Sequence, residues 1–509
     1  MSHSSNATKV LARSALAATA IGVLPLSAHA NARPASSPVD IIYTYPTFSG
    51  VPKDLQQVQD ALNTYLTKKI NATVTLKPLA GGVYDQKMKL GFAAGQPCDL
   101  VFTAPWMNNY YQLVTNGDLL PLDGLLKADA PRTYASMPPS TWNAARVNGK
   151  IYAIINQQLF PKYFGIQFRQ DLATKYHINV NTLHSYDDVT PILATLKAHE
   201  PAITPMISDS QLRGTLYSAE VNGVDPLVQT VGTGTIAGVS MTDKTLTIID
   251  PAQTAAYKHA VELNRTWYLA GYYLQDAPQP DDALARFKAG RFAAVVDQQR
   301  PGRFEEAKLK ATYGWDTVGV SFAKPVLTTA GTVATLTGVC RSSAHPDVAM
   351  KVADLFNTDR TAYNLITHGI EGQDYVFVDR AHNVIGLPSG KTAETDGYYP
   401  NTDWMFGNQF NALYTDKGQI GDYVVQAKAQ AGTTASVALG FAADTTPIKT
   451  QLAQINSVYS QYGAPLEKGL VDPAVGLPRY LSALKAAGED QVLAEVQKQI
   501  NQWAKANHK

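Results

Sequence analysis

The strongest constraint on the fold lies between Val39 and Phe102, where three apolar segments alternate with two helical ones. Val39 to Thr44 (VDIIYT) reads as a strand, ended by Tyr45-Pro46-Thr47. From Pro52 onward, Leu55, Val58, Leu62, Leu66 and Ile70 recur every three or four positions, the spacing of one helix face. Thr73 to Leu76 reads as a second strand, and Gly81-Gly82 turns into a helix over Tyr84 to Ala94. Leu100-Val101-Phe102 follows the Gly95-Gln96-Pro97 break as a strand that is apolar on both faces. Strand, helix, strand, helix, strand is a right-handed parallel unit. Its tips, Tyr43 to Pro46 and Thr103 to Trp106, then face one crevice, where open α/β sheets bind ligands.

The stretch DLVFTAPWMNNYYQ (Asp99 to Gln112) sets an aromatic, amide-rich corner at that crevice before a helix beginning near Met107. Trp106 and Asn109 are its candidate binding residues; the alternative for Trp106 is a plug in the top of the core. An amide or aromatic recurs at other segment ends: Tyr45, Gln157 with Gln158, Gln298 with Arg300, and Trp404 with Asn408. Sugars suit such partners, since rings stack on their C–H faces while amides and guanidinium groups bond their hydroxyls. Each of these residues also has a structural alternative as a cap or a core side chain. A receptor for peptides or amino acids would instead need fixed charges for the termini, for which Arg169, Arg300 and Glu371 are candidates.

Catalytic signals are absent. The chain carries no G-x-S-x-G elbow, H-E-x-x-H helix, Walker loop or C-x-x-C pair, and its 10 histidines are scattered. No catalytic residue, metal ligand set or cofactor site is expected. Glycoside hydrolysis needs two carboxyls roughly 5–10 Å apart, which sequence cannot place, so a secreted hydrolase stays as an alternative. A formal net charge of +1 leaves no nucleic-acid footprint. At 509 residues the chain exceeds one hydrophobic core.

Residues 1–30 read as a cleaved export signal: Lys9 and Arg13, then apolar Ala15 to Leu26, then Ala28-His29-Ala30. No twin arginine precedes the apolar run and no cysteine follows it, so Sec export without lipidation to the periplasm or the medium is expected. Residues 31–38 form a linker. The only cysteines, Cys98 and Cys340, are either one bridge or two buried thiols.

Further on, Asn148-Gly149 signals a hairpin, and a second α/β region follows Arg169. It includes helices over Val189 to His199 and Ala252 to Tyr268 and a strand ending at Asp297. Val318 to Phe322 and Thr332 to Val339 read as strands, and Pro346 to Phe356 as a helix. Gly369 to Gly440 is irregular, and the last part is helical, with Val492, Val496, Ile500 and Trp503 on one face.

Several segments carry a family resemblance: YDQKMKLGFAAGQPCDLVFTAPWMNNYYQ (Tyr84 to Gln112), GDLLPLDGLL (Gly117 to Leu126), VNGKIYAI (Val147 to Ile154), HGIEGQDY (His368 to Tyr375), WMFGNQF (Trp404 to Phe410), LGFAADTTPIKTQLAQINSVYSQY (Leu439 to Tyr462) and LKAAGEDQVLAEVQKQINQW (Leu484 to Trp503). Together they resemble the extracellular solute-binding proteins of ABC importers, the family that includes maltose-type receptors. The likeness is to a sugar-type subgroup with an extra C-terminal domain of unknown function. The resemblance implies an α/β, two-lobe periplasmic-binding-protein fold of type II character, with multiple crossovers and a helical C-terminal extension. It implies a monomeric receptor that captures a small solute, an oligosaccharide, and hands it to the transmembrane subunits of a permease. It supplies no fixed ligand set. On this reading lobe one holds 39–156 and 317–362, and lobe two holds 157–316 and 363–509. Crossovers near Gln157, Asp316 and Arg360 form the hinge.

Overall fold

The computed structural model describes residues 37–160, 163–207, 219, 221–229, 234–273, 285–323 and 326–508. The expected signal peptide and most of the linker lie outside these residues. Strand β1 (Val39–Thr47), helix α1 (Leu55–Ile70), strand β2 (Ala72–Ala80), helix α2 (Gly81–Ala93) and strand β3 (Leu100–Thr103) follow the expected order. Val58, Leu62 and Leu66 bury the apolar face of α1, as their spacing requires. β1 pairs in parallel with both β2 and β3, Tyr43 lying opposite Leu76 on one side and Leu100 on the other.

Two later strands complete this sheet, in the order β2, β1, β3, Leu336–Val339, Ala153–Ile155. Leu336–Val339 runs antiparallel to β3, with Leu336 opposite Thr103. Gly338 permits the close approach there, because a Cβ would sit 2.8 Å from the Leu119 side chain. Cys98 and Cys340 are bridged, with Cα atoms 5.7 Å apart, so the disulfide fastens two strands whose sequence positions differ by 242. Asp99 supports the same end of these strands, accepting from the Ile42 amide at 2.9 Å and the Ser343 hydroxyl at 2.5 Å. The core beneath includes Ile41, Tyr43, Leu66, Val74, Val101, Phe102, Ile154, Met350 and Phe356.

A second sheet has the order Thr317–Ser321, Tyr163–Arg169, Phe292–Gln299, Thr204–Ile207. Its separate core contains Ile166, Phe168, Leu193, Met206, Trp267 and Val296. The third cluster joins an antiparallel sheet (Val224–Gln229, Thr235–Ser240, Ile248–Ile249) to the C-terminal helices through Val239, Ile455, Leu484, Val492, Val496 and Ile500. Helix Ala255–Leu269 serves two cores, placing Val261 in the third cluster and Trp267 in the second. Among the described residues no helix is long and apolar enough to cross a membrane.

The pairing moves the expected lobe boundaries. Thr317–Ser321 pairs with Tyr163–Arg169, so it belongs to the second sheet and not to lobe one. Conversely Tyr363, Ile366, Met405, Phe406, Ala412 and Leu439 pack in the core of the first sheet. Local periodicity cannot reveal these assignments, since each depends on a partner more than a hundred residues away. The chain leaves the first sheet after Ile155, enters the second at Tyr163, and returns between Ser321 and Leu336. A third passage runs through helix Asp422–Ala431 to Thr434–Ala435, which pairs with Val326–Leu327.

Candidate functional site

At the C-terminal rim of the first sheet, three rings stand in a row. Phe48 follows directly on β1, Trp106 follows β3, and Trp404 comes from the irregular segment that packs on this lobe. Ring centroids are 6.0 Å apart for Phe48 and Trp404 and 6.2 Å for Trp404 and Trp106, with Phe102 edge-on beneath both tryptophans. Phe48 is 52% exposed and Trp106 51%, while Trp404 is partly buried between them. Leaving two large rings half in water costs the apolar burial that drives folding, which makes these adjacent exposed aromatics a candidate binding surface.

The corner that presents Trp106 is over-determined. The Thr103 hydroxyl donates to the Asn108 carbonyl at 2.5 Å, the Asn108 side chain donates to the Phe102 carbonyl at 3.0 Å, and the Ala104 amide donates to the Met107 carbonyl at 2.9 Å. Asn108 takes a left-handed φ of 46°, which asparagine tolerates better than most side chains. The Trp106 indole N–H donates to the Ala334 carbonyl at 2.7 Å, so the ring offers a ligand its face and not a hydrogen bond. Phe48 owes its place to Gly81, since a Cβ there would lie 2.7 Å from the Phe48 ring.

The amides expected to contact ligand are placed differently. Gln157 and Gln158 are buried where the chain crosses between sheets. The Gln157 amide donates to the Gly407 carbonyl at 2.7 Å, and its side chain donates to the Ser136 hydroxyl at 2.6 Å. The Gln158 side chain donates to the Thr335 hydroxyl at 3.0 Å, and that hydroxyl donates to the Trp404 carbonyl at 3.3 Å. Asn408 forms a bridge with Gln157 and accepts from the Phe410 amide at 3.1 Å. Gly407 is forced here, since a Cβ would fall 2.1 Å from the Phe356 carbonyl oxygen. Asn109 caps helix α3 (Tyr110–Asn116), accepting from the Gln112 amide at 3.0 Å and donating to the Pro105 carbonyl at 2.7 Å. These amides build and hold the rim, and the rings hang from it.

Tyr45 also lies elsewhere than at the expected strand end. β1 continues to Thr47, so Tyr45 alternates inward with Tyr43 and packs 5.0 Å from Phe406. Burial raises the pKa of Tyr43, Tyr45 and Tyr84 above the ordinary phenol value, which keeps all three neutral. The reading from sequence took Tyr45 as the strand end and missed Phe48, although an aromatic just past Pro46-Thr47 was visible. Gln298 lies on the second sheet opposite Phe164; its side chain is outside the described residues.

The three candidate fixed charges carry partners already. Arg169 donates to Asp171 at 2.6 Å and to the Gly290 carbonyl at 2.5 Å, under a cation–π contact with Trp315 at 3.8 Å. Arg300 pairs with buried Glu305 at 3.3 Å. Glu371 pairs with Arg380 on an exposed hairpin, and that partner holds its carboxyl below the usual range. Two carboxylates bonded to the backbone of this rim are also engaged: Asp85 accepts from the Asn108 amide at 2.6 Å, and Asp403 from the Trp404 amide at 2.9 Å. Among the described residues no group of three or more His, Cys, Asp or Glu could hold a metal ion.

Known proteins share this architecture. A carbohydrate ABC transporter substrate-binding protein of Streptococcus pneumoniae serotype 4 is 24% identical over 473 residues, 89% of each chain. The crystal structure of the N-glycan transport solute binding protein (NgtS) from Streptococcus pneumoniae superposes with a TM-score of 0.81 at 20% identity, covering 92% of this chain and 99% of that one. An extracellular solute-binding protein from Bifidobacterium longum subsp. infantis gives 0.63 at 15% identity, covering 91% and 98%. The fold is therefore the two-lobe one, with a helical C-terminal part. Residues 437–505 match the domain of unknown function DUF3502. The model for bacterial extracellular solute-binding proteins matches residues 49–363, more than half of the sequence, and the chain belongs to that family.

Proposed function

We propose that the protein is the substrate-binding receptor of an ABC import system for neutral oligosaccharides. The observation that carries this reading is the exposed row of Phe48, Trp404 and Trp106. Its steps resemble the spacing of successive rings in a pyranose chain, and stacked C–H faces need no charge. The neutralised Arg169, Arg300 and Glu371 speak against peptide termini, and the engagement of Asp85 and Asp403 in backbone hydrogen bonds speaks against an acid/base pair at the row. Relatives named for carbohydrate transport and for N-glycan transport support the same class.

In this reading lobe one is built from 38–156 and roughly 334–412, and lobe two from 163–321 with the C-terminal helices. Contacts from both lobes favour a closed state when sugar occupies the crevice. The partners are the sugar and a transmembrane permease, with no hydrolysis of what is bound. Export follows cleavage after Ala30 without lipidation, which intact-mass measurement of the native protein checks. The central test is calorimetry and thermal shift with Man5GlcNAc, kestose, tripeptides and free amino acids. A neutral oligosaccharide should bind, raise the melting temperature and be recovered intact. Binding of peptides alone, or steady release of sugar products, overturns the proposal.

A further inference from the structure

A small pocket adjoins the Phe48 end of the row. Four prolines, Tyr45, Tyr398 and Phe406 wall it, and Thr47 and Thr402 complete it. Thr47 directly precedes Phe48, and Thr402 stands two residues before Trp404. The empty space is about 240 Å3, partly open, and its interior admits no more than about one water-sized group. The Thr47 hydroxyl donates to the Gly50 carbonyl at 2.6 Å, and the Tyr398 hydroxyl to the Ile366 carbonyl at 2.8 Å. The Thr402 hydroxyl is buried and has no hydrogen-bond partner among the described residues. A threonine ahead of a turn such as Asp403–Met405 ordinarily accepts from one of the next amides. Here the Trp404 amide donates to the Asp403 carboxylate at 2.9 Å, and the Met405 amide to the Thr402 carbonyl at 3.0 Å. No local donor remains for the hydroxyl, and a buried hydroxyl without a partner is costly.

We propose that this pocket is a specificity subsite, which takes the exocyclic hydroxymethyl group of a hexose stacked at the Phe48 end of the row and bonds its oxygen to the Thr402 hydroxyl. This rests on the oligosaccharide reading above. The hydroxymethyl is the group that stands off the edge of a hexopyranose on a carbon of its own, so it reaches beyond a ring lying on an aromatic face. Its CH2 suits the proline and aromatic walls, and its hydroxyl supplies the partner that Thr402 lacks. An acetamido group is larger than the space. A uronic acid would bring a carboxylate to a pocket with no charged side chain, since burial raises the phenols of Tyr45 and Tyr398 and keeps both protonated. A pentose would leave the Thr402 hydroxyl unpaired, the penalty by which a site built for a hydroxyl rejects the analogue without it.

The test is a crystal structure of the whole mature protein with Man5GlcNAc, or with kestose where wild type does not bind the first. A hydroxymethyl oxygen should lie within hydrogen-bond distance of Thr402 Oγ1. A pocket that holds only an ordered water, an acetamido group or nothing while sugar occupies the row overturns the subsite and leaves the oligosaccharide reading standing. Calorimetry on variants supplies the second measurement. Thr402→Val keeps the shape and removes the hydroxyl, and should bind the same sugar about tenfold more weakly. Thr402→Ser restores the hydroxyl and should bind within about threefold of wild type. A folded Thr402→Val that binds as tightly as wild type overturns the subsite; where that variant does not fold, the crystal structure of wild type decides. A wild type that binds neither sugar removes the oligosaccharide reading and the subsite with it.

Discussion

The rim of the first sheet and the joint of the C-terminal helices solve opposite problems. At the rim, rings stand in water and neutral amides are hidden. At the joint, carboxyls and phenols are hidden. Glu467 is buried and accepts from the Tyr257 hydroxyl at 3.0 Å and the Tyr459 hydroxyl at 2.9 Å. Asp250 and Glu489 lie against each other, both buried, with Gln253 donating to Glu489 at 2.7 Å. Burial first, then the contact with Glu489, raises the Asp250 carboxyl well above its ordinary range, so the pair keeps a proton. Burial likewise pushes Glu467 up to about 7 against the lowering effect of the two tyrosines. The contrast teaches where each region responds: the rim to a ligand that covers apolar faces, the joint to pH.

The largest effect should come from the framework beneath the rim. Replacing Cys98 and Cys340 together by serine removes a bridge that closes a long loop, and should cost about 2–5 kcal/mol in denaturant unfolding. Affinity of the variant that remains folded should stay within about threefold, which is about 0.7 kcal/mol. A large loss of affinity there would mean that the rim is not independent of its framework.

Next comes the rim itself. Trp106→Ala should weaken sugar binding about 5- to 100-fold, from roughly 1–3 kcal/mol of lost apolar contact. Its melting temperature without ligand should change little, because the ring is half exposed. Calorimetry and a melt on one sample decide; a collapsed melting temperature with unchanged affinity would make Trp106 a core residue.

The joint is broken by alkali. An unfolded glutamate titrates near 4.3, whereas folded Glu467 titrates at about 7. The stability due to its retained proton is therefore fully present below about pH 4 and is lost as pH rises through about 7. Asp250 acts in the same direction. Denaturant midpoints taken from pH 5 to pH 8 should fall in wild type and fall less in Glu467→Gln, while sugar affinity per folded molecule holds steady. Equal slopes in the two proteins would assign the dependence elsewhere.

The smallest effect is expected at Glu371. Its pair with Arg380 lies on an exposed hairpin, where solvent screens ion pairs. Glu371→Ala should leave both affinity and melting temperature unchanged, and a weakened affinity would return this residue to the binding surface.

Several of these features were legible in advance, and for local reasons. Leu55, Val58, Leu62 and Leu66 repeat at helical spacing, so α1 and its buried side follow from the chain itself. Asn148-Gly149 names its own turn, and the hairpin pairs Val147 with Lys150. Pro105 stops the ladder, which left Trp106 beyond the sheet and at its rim. Gln157, Gln158 and Asn408 have partners within the chain, which the sequence does not reveal, because a polar side chain at a strand end looks the same whether it meets ligand or backbone.

What the sequence by itself determined is therefore the set of elements, the parallel start of the first sheet and the kind of rim it carries. Each rests on contacts within one turn, one strand or one short connection. Only the tertiary structure decided that Thr317–Ser321 joins the second sheet, that Cys98 meets Cys340, and that Phe48 and Trp404 extend the row begun by Trp106. Those outcomes pair residues across tens to hundreds of positions. Burial of shared apolar surface selects such partners, and that area exists only once the chain has closed on itself.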